Sequence, residues 1–346
     1  MQTRQLAGLL AKEGVMVDLV ATNSPYQPSV IANIRGLRAL FRLVPYIWRI
    51  WRLASKVDVI HLMANSGWSW QLFAAPVIWV GWLRKVPVIV NYRGGEARDY
   101  LQRSTARVKL TMGKAACVVV PSGFLSHVFG EFGISTKVIP NIIDLDTFHP
   151  RESGLAIGSK QPNKYVVVIT RNLEPIYGVD SAIRCIALVR ESIPGITLKI
   201  AGSGPQLSEL QQLVASLGLE DCVSFLGRLE RSEIVALYQL ADVMLNPSLV
   251  DNMPNSVLES LACGVPVIST DVGGVSYLVE NEATALLVPA GDVQRMAHAV
   301  KRLYSDERLR ANLASAGLAE VEQYSWSNIG GMWRDLYSCC ATGRTA

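Results

Sequence analysis

Two carboxylates eight residues apart, Asp251 and Glu259, stand in the segment DNMPNSVLESLACGVPVISTDVGG at 251–274. The spacing puts the first on a loop and the second inside the helix that follows. Asn252, Pro254, Asn255 and Ser256 mark the turn between them. Unpaired amides at a helix start bind phosphate. Pro254 sets the approach, and Asn255 or Ser256 either joins the amides there or simply caps the helix. An ionised carboxylate only accepts hydrogen bonds, which suits a ligand rich in hydroxyls. A ligand lying across this helix start would be anionic at one end and hydroxylated at the other, as a nucleotide sugar is. Taken singly, Glu259 reads as a solvated helix residue and Asp251 as a loop cap.

The elements that must position these residues alternate between strand and helix. In the first half, strands are expected at 15–21, 58–62, 86–91, 116–121 and 136–139, with helices at 2–13, 35–53 and 122–132. A second cycle begins at 165, with strands at 166–170, 197–201, 223–226, 243–246, 266–269 and 285–288. Its helices are expected at 179–190, 209–217, 233–240, 255–262, 293–304 and 306–324. Strands spaced by helices imply mostly parallel sheets. Ligands in such sheets sit beyond the carboxyl ends of the strands. The loops 61–67, 92–96, 171–178, 202–205 and 246–256 all fall there.

The opening is unusual, because a helix precedes the first strand and no glycine-rich strand–loop precedes the helix. A chain that starts late is the favoured explanation, and replacement by a neighbouring element is the other. Segment 35–53 carries arginines at 35, 38, 42, 49 and 52 among apolar and aromatic residues, and Pro45 is expected to divide it or mark its start. Such a segment either lies on an anionic membrane or packs on the sheet. The apolar run 70–83 is about half a membrane-spanning length and contains Pro76, so it reads as a buried helix, with shallow membrane contact as the lesser alternative.

A chain of 346 residues, half of them hydrophobic, holds two domains more readily than one and is not disordered. The net charge of +4 is unevenly spread. Residues 1–141 carry 17 Lys and Arg against 6 Asp and Glu, or +11, and the remainder 16 against 23, or −7. The first half therefore favours an anionic surface or substrate, or has an ordinary basic surface. Six cysteines and four histidines form no metal-ligand pattern, and free thiols in a reducing cytosol are the simplest reading. No signal peptide opens the chain, and the Arg-rich stretch comes without a nucleic-acid recognition motif.

Four segments together resemble the retaining glycosyltransferases of family 4: VIPNIIDLDTF at 138–148, the loop at Arg171, GSGP at 202–205, and the block 246–292. The resemblance covers nearly the whole chain. It implies the α/β GT-B fold, two facing Rossmann-like doubly wound domains, here with the first strand and loop of the N-terminal domain missing. The expected parts are an acceptor-side domain at 1–141, a nucleotide-sugar donor domain at 142–325, and a C-terminal helix and tail at 326–346.

The resemblance also implies roles. Glu259 accepts hydrogen bonds from the donor ribose. Asp251, where the family usually has Glu, orients the donor sugar or stabilises positive charge at its reacting carbon. Arg171 neutralises the donor diphosphate, with Gly204, Asn255, Ser256, Gly273 and Gly274 lining the donor. Arg93 stands where many members have a histidine near the reacting carbon. Glu96 and His61 are acceptor-side candidates, and an ion pair within the loop is the plainer reading of Arg93 and Glu96. Tyr177 replaces a common lysine and Tyr277 a common glutamate. Arg228 is a candidate to restore the lost charge.

The implied reaction moves a sugar to a hydroxyl of a surface-polysaccharide or lipid-linked glycan acceptor, without a metal or other cofactor. It would run in the cytoplasm, peripherally on the membrane face. A nucleotide-sugar-binding protein with little or no transfer activity is the alternative.

Overall fold

The structure, a computed structural model, describes residues 2–22, 37–151 and 164–343, with backbone alone for 37–41. The start of the 35–53 helix and most of the expected join between domains lie outside those residues. The chain divides into two units, Met1–Ile142 with Ile329–Ala346, and Ile143–Asn328.

The first unit holds a parallel sheet in the order β1 (Ile60–Ala64), β2 (Val88–Tyr92), β3 (Cys117–Val120), β4 (Lys137–Val138). Every residue of β2 is buried, as expected for a strand covered on both faces. Its helices are α1 (Gln2–Lys12), α2 (Leu37–Leu53), α3 (Ala75–Arg84), α4 (Ala97–Met112) and α5 (Gly123–Glu131). A π-helical turn, Trp70–Ala74, leads into α3. The last helix of the chain, α12 (Trp326–Ala341), lies mainly in this unit.

Two local expectations are corrected. Residues 15–21 form no strand, and Met16 is 99% exposed. An apolar, β-prone run alone does not make a strand. It needs a neighbour's amides and carbonyls, and no described strand pairs with this segment. Pro45 does not divide α2, which runs through it. Tyr46 and Ile50, buried on the inner side of the helix, anchor the turns after the proline.

The second unit holds a parallel sheet in the order β10 (Leu286–Val288), β9 (Val267–Thr270), β8 (Val243–Asn246), β5 (Tyr165–Thr170), β6 (Ile196–Ala201), β7 (Val223–Gly227). Alternate residues of β5 serve opposite faces, the period-two rule of a strand. Tyr165, Val167 and Ile169 pack with α6 (Val179–Val189), α7 (Leu207–Ser216) and α10 (Val293–Ser305). Val166 and Val168 pack with α8 (Arg231–Leu240), α9 (Asn255–Ala262) and the end of α11 (Glu307–Val321). Strand order reverses between β5 and β8, and the crevice at such a reversal is where open α/β sheets bind ligands.

No helix among the described residues is long and apolar enough to cross a membrane. The six cysteines are free thiols.

Candidate functional site

The residues beyond β5 and β8 meet at the reversal of the second sheet. Arg171 follows β5, and Asn246 ends β8. Asn246 is fully buried, and its Oδ1 accepts from both Nε (3.0 Å) and Nη2 (2.8 Å) of Arg171. The same oxygen accepts from Ser248 Oγ at 3.0 Å, and Asn246 Nδ2 donates to Ser269 Oγ at 2.9 Å. A buried, satisfied network of this kind holds its members in one arrangement. Arg171 also pairs with the Asp251 carboxylate, and its guanidinium lies 5.0 Å from the centre of the Tyr177 ring. Tyr177 thus contributes an aromatic face beside the arginine, at the position where it replaces the family's common lysine.

Backbone geometry tightens this corner. Gly202 has φ +154°, and a Cβ there would collide with the Arg171 carbonyl. A Cβ at Gly204 would collide with the backbone of Leu173. Only glycine lets the 202–205 loop lie against the Arg171 loop. Gly202 N–H donates to Gly227 at 2.7 Å, and exposed Arg228 is the next residue. Gly274 N–H donates to the Asp251 carbonyl at 3.0 Å, bringing the 273–274 turn to the same loop.

The start of α9 supplies the rest. Pro254 is its N-cap and offers no side-chain cap, so the first-turn amides get none from it. Ser256 is 5% exposed, and its hydroxyl has no hydrogen-bond partner among the described residues. A buried hydroxyl without a partner is costly unless a ligand meets it. One turn on, Glu259 is also buried. Burial lifts its carboxyl from the ordinary 4.5 to about 7, while Arg231, Arg171 and a Tyr238 hydrogen bond pull it back down. Tyr238 OH donates to Ser256 O at 3.0 Å and bonds Thr170 Oγ1, tying the helix start to the end of β5.

The first unit carries a second polar chain. On β1, His61 Nδ1 lies 2.6 Å from Tyr337 Oη of α12, and its Nε2 lies 3.1 Å from Asn91 Nδ2 of β2. Asn91 Oδ1 in turn accepts from Arg93 Nε at 3.2 Å. An amide that donates to Nε2 makes that nitrogen the acceptor, which assigns the ring proton to Nδ1. The His61 pKa falls to about 3, first because burial disfavours the cation and then because Arg93 is positive. Both ring nitrogens are engaged, so His61 supports Arg93 through Asn91. Glu96 is exposed just before α4. Asn91→Ala would leave Arg93 Nε and His61 Nε2 without this partner. Its expected cost is about 1–3 kcal/mol of folding free energy, read by urea denaturation.

The structure therefore brings Arg171, Asp251 and the 273–274 turn together, and seats Ser256 and Glu259 on one helix start. Asn246, Tyr238 and Asn91 were missed from sequence. The available signal was a polar residue at the carboxyl end of an apolar strand, VMLN for Asn246 and VIVNY for Asn91. Among the described residues no group of three or more His, Cys, Asp and Glu is placed to hold a metal ion.

Each unit is a parallel α/β layer of the kind from which GT-B proteins are built. Anabaena HepE, solved with UDP-glucose, shares this fold, with a TM-score of 0.76 at 21% identity over 96% of this chain and 89% of that one. Residues 1–147 match Glycosyltransferase Family 4, and residues 152–319 match Glycosyl transferases group 1. A GDP-mannose-dependent alpha-(1-6)-phosphatidylinositol monomannoside mannosyltransferase of Mycobacterium tuberculosis is 30% identical over 301 residues, covering 83% of this chain and 78% of that protein. A D-inositol 3-phosphate glycosyltransferase of Pseudarthrobacter chlorophenolicus is 26% identical over 252 residues, covering 70% of this chain and 60% of the relative's length. The chain belongs to the family 4, group 1 glycosyltransferases.

Proposed function

We propose that this protein transfers a sugar from a nucleotide-sugar donor to a hydroxyl of a surface-polysaccharide or lipid-linked glycan acceptor, with retention at the anomeric carbon. The observation that carries the reading is the convergence of Arg171, Asp251 and the α9 start at the strand-order reversal of the second sheet. The nucleotide sugar in HepE and the lipid-linked acceptor named for the mycobacterial relative support it.

In this reading the donor diphosphate displaces Asp251 from Arg171 and takes the α9 amides and the Ser256 hydroxyl. Asp251 is then released toward the sugar. Glu259 receives the ribose hydroxyls. The bond from the anomeric carbon to the phosphate oxygen breaks, and a bond to the acceptor oxygen forms on the same face. The acceptor proton passes to the departing phosphate oxygen. Charge grows on that phosphate in the transition state, where a preorganised guanidinium acts most strongly. Guanidinium and amides neutralise the phosphate, so no metal is required. Arg93 and Glu96, beyond β2, are proposed for the acceptor side. We propose that it works in the cytoplasm, at the membrane face.

A binding protein without turnover is the second reading, favoured by Arg171 already being engaged by Asp251 and Tyr177. Transfer assays over a panel of nucleotide sugars, with membrane lipid extract as acceptor source, separate the two. Asp251→Ala is expected to lower transfer by about 100-fold or more while nucleotide still binds. Donor binding with no turnover in the unaltered protein would establish the second reading instead.

A further inference from the structure

Helices α2 and α3 of the first unit carry exposed indoles. Trp48, Trp51 and Trp82 are 59%, 42% and 49% exposed, and Leu83 beside them is 59% exposed. Each indole has a cation stacked on it. Arg52 lies 4.7 Å from the Trp48 ring centre, Arg84 5.0 Å from Trp51, and Lys114 4.5 Å from Trp82. Two of these contacts cross between elements. Arg84 joins α3 to α2, and Lys114, in the turn after α4, joins that turn to α3. Three separate segments thus form one continuous surface.

That surface has a single sign of charge. Over 42–57 the exposed charged residues are Arg49, Arg52 and Lys56, and this stretch contains no Asp or Glu. No ion pair among the described residues engages Arg49, Arg52, Arg84, Lys85 or Lys114. The indoles are not needed for packing, because α2 is held by its other side. There Tyr46 and Ile50 are buried, and the Tyr46 ring meets Phe73 edge-on at 5.6 Å.

Exposed Trp with Arg and Lys, and without acids, is the composition that enters a lipid headgroup layer. The indole bodies reach the acyl boundary, and the cations meet phosphate. A second copy of this chain would set the same cations against each other, which opposes self-association. We infer that the outer face of α2, the last turn of α3 and Lys114 form one surface that docks the protein on an anionic lipid bilayer. The inference rests on the part of the proposed function that puts the chain at a membrane and not on the transfer chemistry.

Co-sedimentation of the full chain with vesicles tests it. Phosphatidylcholine vesicles are compared with vesicles in which phosphatidylglycerol replaces part of that lipid. Binding is expected to need phosphatidylglycerol and to weaken with added salt. Each cation near an anionic surface contributes roughly fivefold in affinity, so Arg49→Ala with Arg52→Ala is expected to lower binding about 25-fold. Trp48→Ala, Trp51→Ala and Trp82→Ala together are expected to weaken binding to the same vesicles at unchanged charge. Arg49→Lys with Arg52→Lys is expected to restore it.

Because all these side chains are exposed, thermal melting and nucleotide binding should stay at their unaltered values. So should transfer to a water-soluble acceptor, which separates failure of docking from failure of the proposed reaction. Equal binding to neutral vesicles, or variants that bind like the unaltered chain, would overturn the inference. Self-association or RNA binding lost in these variants, with no vesicle binding by the parent, would overturn it in favour of a second copy or a nucleic acid.

Discussion

Replacing Arg171 by alanine is expected to lower kcat/KM for sugar transfer by about three orders of magnitude, the upper range for removing one preorganised charge-stabilising donor. Two effects act together. The phosphate loses a guanidinium held in place by Asn246, and Asp251 becomes a largely buried carboxylate with its cation removed. Breaking such a pair from one side is more costly than the pair's net worth. The added negative charge then stands where a diphosphate must bind. Arg171→Lys keeps the charge but not the fork that bonds Asn246 through Nε and Nη2, so it should recover only part of the rate. Steady-state kinetics with the best donor of the panel check this. A lysine variant equal to the parent would show that charge alone suffices. An alanine variant within about threefold of the parent would remove Arg171 from the transition state altogether.

Glu259→Gln is expected to move stability and donor affinity in opposite directions. The folded carboxyl has a pKa of about 7 against an ordinary 4.5. Between those values the folded chain holds a proton that the unfolded chain has released, so stability falls as pH rises from 4.5 through 7. Above pH 7 the buried charge costs up to about 3 kcal/mol, which the neutral amide avoids. The variant should therefore melt higher than its parent at pH 8 and much like it at pH 4.5. Nucleotide affinity should drop about tenfold, because two acceptor oxygens become one acceptor and one donor. In the unaltered protein nucleotide binding should weaken as pH falls below 7, and this dependence should vanish in the variant. Calorimetric melts and nucleotide titrations over that pH range read both effects. A variant with unchanged nucleotide affinity would make Glu259 a structural residue only.

His61 should respond to acid in the opposite sense within the other unit. Its folded pKa lies below its unfolded value, so it contributes stability that is lost as pH falls through 6.5 toward 3. Acid between pH 6.5 and 4.5 is thus expected to loosen the first unit while it relieves Glu259 in the second.

Much of the second unit could be read directly from the chain. β8 and α9 begin and end where the apolar runs and the Pro254-Asn255 turn put them. Strands of a covered parallel sheet announce themselves because most positions are apolar, and the loops beyond them follow from that placement. The first unit was harder. Residues 15–21 have a strand's apolar composition but pair with no described strand, and pairing depends on neighbours far away in sequence. Helix α4 was missed, since its polar exposed face dilutes the apolar period. The reach of α12 back to His61 spans 276 residues, a distance no local pattern encodes.

The sequence by itself determined the two α/β layers, the resemblance to a glycosyltransferase family, and the identity of Asp251, Glu259 and Arg171 as the residues to watch. The layers and the Asp251–Glu259 pair follow from residue type, period and spacing, and Arg171 follows from the family resemblance; all are read along the chain. Tertiary structure alone decided that Asn246 grips Arg171, that Tyr177 stacks against Arg171, and that His61 is closed off by Tyr337 and Asn91. It also decided that Glu259 is buried deeply enough to hold its proton near neutral pH. Burial, charge pairing and hydrogen-bond direction depend on which distant segments meet, and only the folded chain brings those segments together.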